Sequence, residues 1–196
     1  MANDILHSIY GKKLGIGPLG ELLVDPSNTG TRIVPVLSYN LAAAGTALTA
    51  SSTETALASY SIPAGRLQAG SLIQVRYQGI ATATNSTDTL TVKLYIGGAS
   101  GTALISEAAT DVANNDCFTG EYELAIRTTG TTGTVVGVGT YKSIPAAEGT
   151  MTIKDDILAS TTIDTTIAQA VTLTGTWSTT NAGNSCRADF FRIVIF

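Results

Sequence analysis

Histidine is almost missing from this chain: among 196 residues only His7 carries an imidazole. A serine or cysteine nucleophile activated by histidine would have to use that one side chain. It stands near the start, apart from the patterned body of the chain, so no catalytic residue is expected and the chain reads as a non-enzyme. Cysteine is scarce too. Cys117 and Cys186 are the only two, too few and too far apart for a disulfide framework or a zinc cluster. They read as small buried apolar side chains, with a cross-strand disulfide left open.

Charge is also sparse. Charged residues make up 13% of the chain, about half of the ~25% usual in soluble domains. The net charge is −4 with no basic run, which speaks against direct nucleic-acid binding. No apolar run reaches the ~18 residues of a membrane helix. The opening residues lack a basic segment followed by an apolar one, so the expectation is synthesis and use in a cytoplasm without a secretory leader. The glycine-rich residues 11–20 lack the Gly-Lys-Ser/Thr ending of a phosphate loop. Asp111 with Asp116, and Asp155 with Asp156, lack the spacing of a calcium loop and read as solvated turn residues. Glu121 and Glu123 share one strand face rather than facing each other across a cleft, as a glycosidase would need. No metal and no cofactor are expected.

What the chain has is alternation. From residue 54 the apolar positions recur every second residue, the period of a half-buried strand. Ala56, Ala58, Tyr60 and Ile62 share one face. Ile73, Val75 and Tyr77 share another, with Gly79 marking a bend or bulge. Leu90, Val92, Leu94 and Ile96 alternate with Thr91, Lys93 and Tyr95. Residues 118–128 and 134–143 read as a hairpin, with Gly137 and Gly139 signalling close packing or curvature. Residues 144–160 read as a looser connection. A long strand then carries Ile163, Ile167, Val171, Leu173 and Trp177. The closing run, 185–196, is apolar on both faces and needs cover on both sides. Helical periodicity is essentially absent, and no 20- to 50-residue repeat is present. Eight strands joined by turns predict an all-β, antiparallel two-sheet sandwich of jelly-roll type with an extended N-terminal arm. The arm is residues 1–37, a connection follows over 38–53, and the sandwich is 54–196.

Glycines in residues 11–20 are too frequent for a stable strand there, and Pro35 confines any strand over 32–37 to a sheet edge. The arm nevertheless carries Ile5, Leu6, Ile9, Tyr10, Leu14, Ile16, Leu19, Leu22 and Leu23. Such side chains are costly in water and are expected to dock, on this chain's own sheet or on a neighbouring protein. Trp177, Phe190, Phe191, Ile193, Ile195 and Phe196 are expected in the core or at an oligomer interface. Tyr95, on the polar side of its strand, is the candidate platform for stacking a sugar.

The segments Tyr60-Ser61-Ile62-Pro63-Ala64-Gly65, Leu67-Gln68-Ala69-Gly70-Ser71, Val75-Arg76-Tyr77-Gln78-Gly79 and Thr89-Leu90-Thr91-Val92-Lys93-Leu94-Tyr95-Ile96-Gly97-Gly98 carry a resemblance. With Ala170-Val171-Thr172-Leu173-Thr174-Gly175-Thr176-Trp177-Ser178 and the closing run 184–196, they resemble the jelly-roll head decoration (cement) proteins of tailed bacteriophages. The resemblance covers about residues 50–196, and its motifs are structural rather than chemical. It implies a virion structural protein, made in the host cytoplasm, that forms a homo-oligomer, typically a trimer. It further implies binding to the major capsid protein on the outer surface of the head, where contacts between capsid subunits are stabilised. Residues 1–37 would fit the extended arm of such proteins, although no residue of the arm matches a motif of the family. The alternative is a head-fibre or tail-associated module that recognises host surface glycans; a β-sandwich hydrolase and an orphan monomeric sandwich have less behind them.

Overall fold

In a computed structural model that describes residues 6–9, 12–16, 22–24, 37–85, 87–97, 101–106, 110–146 and 150–196, every assigned element is a β-strand. The chain divides into Met1–Leu37 with Phe196, and Ser38–Ile195. The first part holds an antiparallel sheet of β1 (Leu6–Ile9), β2 (Lys12–Ile16) and β3 (Leu22–Val24), in that order. Residues 11–20 were expected to hold no strand, yet Gly15 sits in β2 opposite Leu23 of β3. Pairing with β3 there, in a strand that β1 also flanks, supplies backbone hydrogen bonds that offset the entropy lost in ordering one glycine. Of the predicted arm contacts, Ile5, Tyr10 and Leu19 lie outside the described residues, while Leu6, Ile9, Leu14, Ile16, Leu22 and Leu23 lie on these strands.

The second part is the sandwich. It begins with β4 (Leu37–Asn40), β5 (Leu48–Thr49), β6 (Thr55–Ile62), β7 (Leu72–Thr82) and β8 (Thr89–Ile96). It continues with β9 (Thr102–Ser106), β10 (Thr110–Asp111), β11 (Asp116–Thr128) and β12 (Gly133–Ile144). It ends with β13 (Thr152–Ile163), β14 (Gln169–Trp177) and β15 (Ser185–Ile195). One sheet runs β10-β8-β14-β6, with β9 also on β8. The larger runs β13-β12-β11-β7-β15-β4, with β5 also on β15. Because β9 and β10 pair with successive halves of β8, they act as one interrupted edge strand, and β4 and β5 do the same along β15. The order β4/β5-β15-β7-β11 opposite β6-β14-β8-β9/β10 is the jelly roll of two interleaved Greek keys. β12 and β13 are added to it, extending the larger sheet beyond β11.

Two sequence readings of connectivity are corrected. Residues 38–53, read as a plain connection, contribute β4 and β5 to the sheet edge. Residues 144–160, read as a loose connection, contain most of β13. The long strand expected through Ile163 and Ile167 is broken by a turn in which the Asp164 carboxylate accepts from the Thr166 amide and hydroxyl. Ile167 is exposed in that turn. An aspartate that binds its own backbone two residues on is a turn former, and this local bond overrides the apolar period.

Inside the larger sheet, rings lie over glycines of the neighbouring strand. Gly79 faces Phe118, Gly120 faces Tyr77, and Gly139 faces Tyr122; a Cβ at any of the three would overlap the facing ring. The three are paired across β7, β11 and β12, so they accommodate close packing. The bulge expected near Gly79 is instead on its partner: β15 shifts register between Ala188 and Phe190. Cys186 and Ala188 point inward before the shift, and Phe191, Ile193 and Ile195 after it, all buried. The apparent apolarity of both faces of the closing run is thus largely one face read across a bulge.

Candidate functional site

The outer face of the larger sheet is where side chains with chemistry or unmet burial collect. Its cross-strand rows follow from the registers. One row reads Val194, Gln74, Glu123, Val138, Ile157, and the next reads Arg192, Arg76, Glu121, Thr140, Asp155. Charges in the middle of the face are paired. Arg76 bonds Glu121, Gln74 Nε2 donates to Glu123 Oε1 at 2.8 Å, and Thr140 Oγ1 donates to Asp155 Oδ1 at 2.9 Å. A shallow groove of about 420 Å³ lies along them, lined by Gln74, Arg76, Glu121, Glu123, Thr140 and Lys142. Beside it is a more apolar hollow of about 380 Å³, walled by Leu72, Ala125, Val136, Val138 and Ile157.

β13 inverts the usual polarity. Lys154 and Asp156 oppose Tyr141 and Gly139, which face inward. Ile153, Asp155 and Ile157 face outward. Ile157 is 85% exposed, Val138 57% and Ile153 52%, and Met151 and Ile144 are exposed close to the connecting loop. The sequence missed this surface because β13 was not recognised as a strand; the i, i+2, i+4 run Ile153, Asp155, Ile157 against Lys154, Asp156 was its available signal.

The outer face of the smaller sheet is closed in comparison. Thr174 Oγ1 donates to Glu54 Oε1 at 2.7 Å, and Lys93 Nζ donates to Glu54 Oε2 at 3.1 Å. Burial alone would raise the Glu54 carboxyl, but bonds from Thr174, Tyr95 and Lys93 outweigh it and hold the group below the usual range. The Glu54 hydrogen bond pushes Lys93 up. Tyr95, expected as an exposed sugar platform, is only 8% exposed. Burial, and next the Glu54 carboxylate, push its hydroxyl up. Its ring therefore presents no stacking face, and the glycan reading loses the residue it rested on.

The remaining predicted residues separate cleanly. Trp177, Phe191, Ile193 and Ile195 are buried within the chain, whereas Phe190 and Phe196 are partly exposed. Asp116, read as a solvated turn residue, is buried and accepts from the Ala113 and Ala146 amides at 2.8 and 3.0 Å. It fastens two loops. Cys117 and Cys186 are both free and, by register, lie on opposite faces of the larger sheet. Burial pushes the Cys186 thiol up to about 12, against a smaller opposing pull from the Trp177 indole. Such a thiol is not a nucleophile near neutral pH. Among the described residues no group of three or more histidine, cysteine, aspartate or glutamate side chains could hold a metal.

No family model matches the sequence, and no curated protein matches it. Solved structures do. The structure of the infectious bursal disease virus Gx strain is similar at 14% identity and a TM-score of 0.41, over 100% of this chain and 37% of that one. The infectious bursal disease virus VP2 subviral particle is similar at 15% identity and a TM-score of 0.40, over 97% of this chain and 41% of that one. The chain thus spans about two fifths of the length of the chains it matches.

Proposed function

We propose that this chain is a virion structural protein, a capsid decoration or cement protein that binds the outer surface of the head and stabilises contacts between major capsid protein subunits. The residue-level resemblance over about residues 50–196 is the starting point, and the jelly-roll strand order is the architecture that it implies. The observation that carries the reading is the uncovered apolar surface on β12 and β13. Apolar area held on two paired strands has its backbone already ordered before it is covered, which favours adhesion. The N-terminal segment is the second point of attachment in this reading. Two or three modest contacts made together hold a particle far longer than any one of them.

Mass spectrometry of purified viral shells tests the proposal. The polypeptide is expected at a fixed copy number per major capsid subunit. Its absence from the shells would overturn the virion reading. If it is present, Leu14→Asp and Leu23→Asp are each expected to lower that copy number. An unchanged copy number would remove the arm from the mechanism and leave the sandwich face as the attachment.

A further inference from the structure

We propose that the outer face of β12 and β13 binds the same face of a second copy of this chain about a two-fold axis. The pairing concerns the free protein and competes with capsid attachment for the same face. A chain that pairs in solution but is absent from shells would overturn the virion reading alone, and one found on shells but monomeric in solution would overturn the pairing alone. A surface such as this has two ways to be covered, along its edge or across its face. The edge of β13 is guarded. Lys154 and Asp156 point inward, and the register shifts opposite Val135–Gly137. Inward charges and bulges are the features that keep a sheet edge from adding another strand. The face has no such guard.

Its size fits a partner. At the exposures observed, Ile144, Met151, Ile153, Ile157 and Val138 leave on the order of 500 Å² in water, the scale of a functional patch on a folded chain. With a polar rim it reaches the ~800 Å² that each side gives to a stable interface. Its pattern fits a copy of itself. Along the hairpin the outward positions of β12 run Ile144, Lys142, Thr140, Val138, and those of β13 run Ile153, Asp155, Ile157. A two-fold axis crossing the strands between the Lys142–Ile153 pair and the Thr140–Asp155 pair lays Ile144 over Val138 of the second copy. The same rotation brings Lys142 diagonally within reach of Asp155 of the second copy, and the reciprocal pair forms by symmetry. The ends are apolar on apolar; in the middle Ile153 lies over Asp155 of the second copy, and Lys142 reaches that carboxylate from the neighbouring strand, twice by symmetry.

Sedimentation velocity and native mass spectrometry on the full chain test this. A two-fold species, alone or as an even-numbered assembly, is expected to build up with concentration. Lys142→Glu alone places two acids together, and Asp155→Lys alone places two cations together. Each is expected to raise the dissociation constant about tenfold or more, since like charges at an interface are strongly disfavoured. Mixing the two variants is expected to restore association, because each then supplies the charge the other lacks. Ile157→Ser, an exposed position, is expected to weaken association while its thermal midpoint, measured at concentrations where both proteins are monomeric, is unchanged, which separates loss of contact from loss of fold. A monomer up to roughly 100 μM, an odd-numbered assembly without even multiples, or a mixture that fails to reassociate would overturn the proposal.

Discussion

In β15 the apolar side chains turn inward and the charged ones outward: Phe191, Ile193 and Ile195 are buried, while Arg187 and Arg192 are exposed. In β13 the arrangement is reversed, with Lys154 and Asp156 directed inward and Ile153 and Ile157 in water. Both strands belong to the same sheet and alternate with the same period. β15 lies between two neighbours and can hide one face only by obeying the sandwich. It accepts a bulge at Asp189 to keep its large side chains inside. β13 is an edge strand with no such obligation. The contrast separates residues that make the fold from residues left over for contact. A strand's burial sign, and not its hydrophobicity, tells which is which.

The largest effect should come from truncating one side chain in each strand. Phe191→Ala is expected to cost about 3–5 kcal/mol, the usual range for emptying a buried aromatic site, because its ring is fully buried and meets Tyr39 edge-on at 6.3 Å. Ile157→Ala should change stability by less than about 0.5 kcal/mol, as expected for an exposed position. Chemical denaturation of the two variants under dissociating conditions measures both. Comparable losses would mean that β13 is covered within one chain and that the contrast fails. A smaller effect is expected from Gly120→Ala, whose added methyl would overlap the Tyr77 ring. Overpacking of this kind costs about 1–3 kcal/mol, and replacing Tyr77 by leucine in the same chain should recover part of it.

Much of the body was legible because its strands obey one local rule. The clean alternation of Leu90, Val92, Leu94 and Ile96 sits in β8, and all four are buried. Gly79, Gly137 and Gly139 were visible as anomalies, and their cause is a facing ring or, for Gly137, the facing Leu124 side chain. What the sequence hid depends on contacts between distant residues. Tyr95 stands at a polar position of its strand, but Glu54 and Thr174, remote in sequence, close over its surroundings. Asp116 is polar and loop-adjacent, yet amides from two loops bury it. The apolar surface was hidden for a different reason. Its strand begins in a stretch with a weak pattern, because Asp155 interrupts the outward isoleucines and Lys154 and Asp156 occupy the inward positions where a period search expects apolar residues.

The smallest effect concerns where charge is placed on the body. Glu54 and Lys93 are about one quarter exposed and bonded to each other at 3.1 Å, so a Glu54→Gln variant should lose roughly 1 kcal/mol at neutral pH, the upper end for a partly exposed pair. The sign with pH follows from the Glu54 carboxyl lying below its ordinary value: burial alone would raise it, and the bonds from Thr174, Tyr95 and Lys93 overcome that. A carboxyl depressed in the folded state contributes stability above its unfolded pKa and loses it as pH falls through the folded one. The native protein should therefore weaken on acidification from the ordinary glutamate range downward, and the Gln variant should lack that component. Asp88, held low chiefly by the Asn181 amide, adds to the acid limb of both proteins, so the difference between the two curves isolates Glu54. Denaturation midpoints measured across the acid range should converge at low pH. Curves that stay parallel would mean that the Glu54 carboxylate is not engaged, leaving the smaller sheet's outer face as open as the hairpin's.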